Sequence, residues 1–70
     1  MMSDKPLVNQ MIRRAEADQL PDGHELRTLA ADLDRIGDEY AGGHCSPKKF
    51  LGAWARARLA WCRHTGEALI

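Results

Sequence analysis

Five apolar side chains, Leu26, Leu29, Leu33, Ile36 and Tyr40, recur at intervals of three, four, three and four residues. In an α-helix that spacing puts all five on one narrow stripe, whereas a strand would scatter them over both of its faces. A seam this narrow suits packing against a second helix lying nearly parallel or antiparallel. No two-residue alternation persists elsewhere, and β-branched residues are sparse, with one Val, three Ile and two Thr. The pattern predicts an all-α chain.

Punctuation residues predict three helices. The first is expected over about 4–18, capped by Ser3 or Asp4, with Pro6 tolerated in the first turn and Leu7, Val8, Met11, Ile12 and Ala15 as its apolar stripe. "LPDG" at 20–23 reads as a turn. The seam helix is expected over about 23–41, opened by a capping box of Asp22 and Glu25 and closed by Gly42 in the left-handed conformation. The third begins at Ser46 as cap and Pro47 as first helical residue, and runs to about Thr65 before Gly66. The apolar tail "EALI" (67–70) is expected to fold back on the core. Short turns favour antiparallel neighbours, so the expected architecture is a short N-terminal helix plus an antiparallel helical hairpin, one domain over 1–70. Seventy residues bury little core, and self-association into a homodimer is the expected remedy.

Charge narrows the function classes. Ten basic residues balance ten acidic ones, so no net field draws the chain to nucleic acid or membrane. No apolar run approaches the roughly 20 residues of a membrane span, and the N-terminus "MMSDKPLV" has no signal-peptide core, which points to the cytoplasm. The charges are nevertheless segregated. Residues 22–41 hold six acids against two arginines, while 46–65 hold Lys48, Lys49, Arg56, Arg58 and Arg63 and no acid.

His44, Cys45, Cys62 and His64 have the look of a zinc set, but a helix between the cysteines separates them by roughly 25 Å at 1.5 Å per residue. They can share neither an ion nor a disulfide, so no metal is expected. His24 lies near His64 if the helices are antiparallel, but two histidines make at most a weak site. Cys62 reads as a small buried hydrophobe, and Cys45, before a helix N-terminus and near two lysines, as a candidate reactive thiol. No phosphate loop, dinucleotide fingerprint, paired-histidine helix or nucleophile elbow is present, so neither enzymatic activity nor a cofactor is expected.

"SPKK" (46–49) resembles the Ser-Pro-Lys-Lys repeats of linker-histone tails, which contact the DNA minor groove; here it occurs once. The last two helices with their Gly-containing turn also resemble, loosely, the helix-turn-helix DNA-binding unit. On this reading Lys48, Lys49, Arg56 and Arg63 bind phosphates. It is the second expectation, because the net charge is zero and the third helix carries a broad apolar face.

The first expectation comes from "WARARLAW" (54–61). At about 100° per residue, Phe50, Trp54, Ala57 and Trp61 fall within about 60° at the centre of the apolar face. Leu51, Ala55 and Cys62 flank them, and Lys48, Gly52, Arg56 and Arg63 lie opposite. Arg58 projects between the two apolar rows, four residues after Trp54 and three before Trp61, within reach of either indole. It either pairs with an acid such as Asp32 or Glu39 along the core edge, or completes a surface of the Trp and Arg composition typical of interface hot spots. The expected function is a non-enzymatic interaction module that docks a protein partner through Trp54, Arg58, Trp61 and Phe50.

Overall fold

A computed structural model describes residues 5–66. It contains three helices, α1 (Lys5–Ala17), α2 (Glu25–Ala41) and α3 (Pro47–Thr65), and no strand among the described residues. The expected cap at Ser3 or Asp4 and the expected return of the 67–70 tail lie outside the described residues.

The helices form where the apolar periodicity places them, and their ends are set by local chemistry. Ser46 caps α3, its hydroxyl accepting the Lys49 N–H at 3.2 Å, with Pro47 at the first helical position. Gly66 closes α3 in the left-handed conformation at φ 75°, donating to the Cys62 carbonyl. The ends of α2 differ from expectation. Its cap is His24, not Asp22: the imidazole Nδ1 accepts the Leu26 N–H at 3.0 Å, and the helix starts at Glu25. At the other end Gly43, not Gly42, is left-handed, at φ 78°. The Gly43 and His44 N–H groups close back onto the Tyr40 and Glu39 carbonyls, so the left-handed residue must sit one position later. The same closure ends α1 without a glycine: Gln19 takes φ 54°, and Gln19 and Leu20 donate to the Glu16 and Ala15 carbonyls.

α2 packs against both α1 and α3. That double duty widens its buried face beyond the narrow seam. Leu26, Ala30, Leu33, Ile36 and Gly37 are buried, while Leu29 is only partly so. Tyr40 is 41% exposed and lies flat against Phe50, with ring centroids 4.7 Å apart. Met11, Leu26 and Leu33 are the largest fully buried side chains, joined in the core by Leu7, Val8 and Ala15 of α1. Ile12, expected on the α1 stripe, is exposed. Ion pairs link the elements at the surface: Lys5 meets Asp34 and Asp38, Lys49 meets Glu39 at 3.8 Å, and Arg63 meets Glu25 at 2.9 Å. Such exposed pairs contribute little to stability each. No helix among the described residues is long and apolar enough to cross a membrane.

Candidate protein-binding site

The buried side chains of α3 are Phe50, Ala53, Ala57, Ala60 and Trp61. The core face is therefore rotated from the expected one, away from Trp54 and toward Ala53 and Ala60. The physical reason is size. Small side chains occupy the middle of the buried face, as Ala30 and Gly37 do on α2, so helix backbones can approach closely. Large rings are accommodated toward the margins.

This rotation divides the four expected binding residues. Phe50 and Trp61 are core side chains, and Trp61 is only 9% exposed. Trp54 is partly buried at the margin, packed against the core, and Arg58 is partly exposed beside it. The guanidinium carbon of Arg58 lies over the Trp54 ring, 4.9 Å from its centroid. That is the geometry expected for the pair four residues apart, and it places a cation against the negative face of the indole. The Trp54 Nε1 is buried and has no acceptor among the described residues. Leaving a buried donor unfilled costs roughly 1–3 kcal/mol.

Rotation also turns the expected flank outward. Leu51 is 52% exposed, Leu59 is 51% exposed, and Ala55 between them is exposed as well. Ala55, Arg58, Leu59 and Cys62 line a shallow depression on this side. The outer side of α3 thus presents an apolar strip of Leu51, Ala55 and Leu59, with the stacked Arg58–Trp54 pair along its edge. Leu59 was not singled out from the sequence; its spacing of four from Ala55 and eight from Leu51 is the signal that finds it.

The four cations of the phosphate-binding expectation do not act together. Lys49 pairs with Glu39 and Arg63 with Glu25. Lys48 and Arg56 are exposed and make no ion pair among the described residues.

Elsewhere, three chain segments meet at one polar cluster. His64 Nε2 and Asp18 Oδ2 are 2.6 Å apart, Arg14 Nε donates to the same carboxylate at 2.8 Å, and the His24 ring meets the His64 ring edge-on at 5.6 Å. The hydrogen bond with His64, and then that from Arg14, hold the Asp18 carboxyl below its ordinary pKa. Sequence reasoning missed Asp18, because nothing local ties it to residue 64. No group of three or more His, Cys, Asp or Glu side chains among the described residues is arranged to hold a metal ion. Cys45 is half-buried against the core, its Sγ within 3.8 Å of the Ile36 carbonyl and 3.5 Å of its neighbour Ser46's.

Comparison of the chain with protein-family models, with curated proteins and with solved structures found no match.

Proposed function

We propose that this protein is a small non-enzymatic interaction module, an accessory subunit, regulator or inhibitor that docks a larger cytoplasmic protein through the outer side of α3. In this reading α2 and α3 form an antiparallel hairpin, supported by the Lys49–Glu39 and Arg63–Glu25 pairs at its two ends. The observation that carries the reading is the strip of Leu51, Ala55 and Leu59 turned to solvent beside an arginine stacked on a tryptophan. Exposed leucines in a row offer apolar area to a partner, and the Arg58–Trp54 pair supplies the residue types that dominate binding energy. No catalytic residue, cofactor or metal is assigned. A second copy of the chain, expected from the small core, is the competing occupant of the same face. Binding of nucleic acid is less well supported, because Lys49 and Arg63 already hold acids of α2.

The test is affinity capture with matched variants. Wild type and Arg13→Ala, at an exposed position of α1, should retain the same partner, while Leu59→Glu and Arg58→Ala should lose it and keep cooperative melting. Equal capture by all four proteins would refute the assignment of this face.

A further inference from the structure

We infer that the occupant of the α3 face is an acidic amphipathic helix belonging to another protein. The inference rests on the docking reading above and specifies its partner. Leu51, Ala55 and Leu59 follow one another at intervals of four, so they run along α3 for about two turns, roughly 12 Å. A row of that length, inclined to the α3 axis as an i, i+4 ridge is, is what a crossing helix contacts with its own residues at i, i+4 and i+7.

The charges around the strip fix the sign of the partner. At about 100° per residue, Arg56 lies beyond its far side, exposed and in no ion pair among the described residues. Lys48 stands near its N-terminal end, and no acid occurs anywhere from 46 to 65. Glutamates or aspartates flanking an apolar stripe complement that border.

Among its described residues a second copy offers few of them. Of the eight acids among the described residues, six are engaged: Asp18 with Arg14 and His64, Glu25 with Arg63, Asp32 with Arg35, Asp34 and Asp38 with Lys5, and Glu39 with Arg35 and Lys49. Two α3 faces laid together would instead oppose basic residues to basic residues. A nucleic acid would satisfy Lys48 and Arg56 but leave Leu51 and Leu59 against a charged backbone.

The experiment titrates the full chain with a synthetic helical peptide bearing leucines at i, i+4 and i+7 flanked by glutamates. The controls are the same peptide with lysines for glutamates, the same with glutamines for leucines, duplex DNA, and the protein alone across the micromolar range. Heteronuclear NMR should show the acidic peptide moving the amides of Leu51, Ala55 and Leu59 and the indole N–H of Trp54. Lys48→Glu together with Arg56→Glu should lower that affinity by about tenfold or more and transfer the preference to the lysine peptide. Failure of the acidic peptide to bind overturns the inference. So does equal binding of the lysine or glutamine peptide, shifts on another face, a complex in which DNA alone moves these residues, or a second copy covering them. The two readings fail separately. Partner capture that is abolished by Leu59→Glu but not competed by the acidic peptide keeps the docking face and overturns the acidic helix. Capture insensitive to Leu59→Glu removes the face itself.

Discussion

At the scale of single residues, the two tryptophans of α3 have opposite standing. Trp61 is a core ring, and Trp61→Ala should cost about 3–5 kcal/mol in chemical denaturation, because a large void opens in the core. Trp54 is a margin ring whose N–H has no acceptor among the described residues. Trp54→Phe gives up some area and some attraction for Arg58 but also removes that unfilled donor. The net change should stay within about 1 kcal/mol; a loss as large as that of Trp61→Ala would mean the indole N–H has a partner in solution. The stacking of Arg58 on Trp54 was legible in the sequence, because residues four apart on a helix are neighbours whatever else the fold does. The unfilled N–H was not, since burial of one atom depends on side chains far away in the chain.

At the scale of elements, periodicity located all three helices, and α3 was legible down to its caps at Ser46 and Gly66. Two kinds of detail escaped. Histidine is not among the usual N-terminal caps, so His24 was passed over for Asp22. The buried face of α3 was centred on its biggest residues, although its middle belongs to Ala53, Ala57 and Ala60. Hydrophobic size weights a helical wheel toward rings, whereas a close helix contact selects small side chains. The rotated face can be checked with one substitution made at two sites. Ala57→Leu, at a fully buried position, should overpack the core and cost about 1–3 kcal/mol. Ala55→Leu, on the exposed side, should change stability by about 0.5 kcal/mol or less. Equal effects would return the core to the face first expected.

At the scale of the whole molecule, the sequence predicted an all-α chain and His24 near His64 if the helices are antiparallel, as the rings are found, but nothing in it tied Asp18 to them. Asp18 and His64 lie far apart in sequence, and only the packing of α1 and α3 on α2 brings them together. Their contact has a pH signature. The Asp18 carboxyl is held below its ordinary pKa, first by the hydrogen bond with His64 and then by Arg14. A depressed carboxyl stabilises the fold above its unfolded pKa of about 4 and loses that contribution as pH falls through the lower, folded value. Thermal melts of Asp18→Asn should therefore lie below wild type at neutral pH and converge with it in acid. Parallel curves across the whole range would show that the contact carries no linkage.

Paired and unpaired charges are also unevenly placed. The acids of α2 are occupied by Lys5, Arg35, Lys49 and Arg63, while Lys48 and Arg56 on α3 make no ion pair among the described residues. The chain sums to zero charge, so a distant anionic surface exerts a torque on it but no net pull. Rotation of the basic side toward that surface precedes contact, over a screening length of about 8 Å at physiological ionic strength. Added salt should then slow the arrival of an acidic partner more than it hastens its departure, because once seated the partner is held chiefly by Leu51 and Leu59.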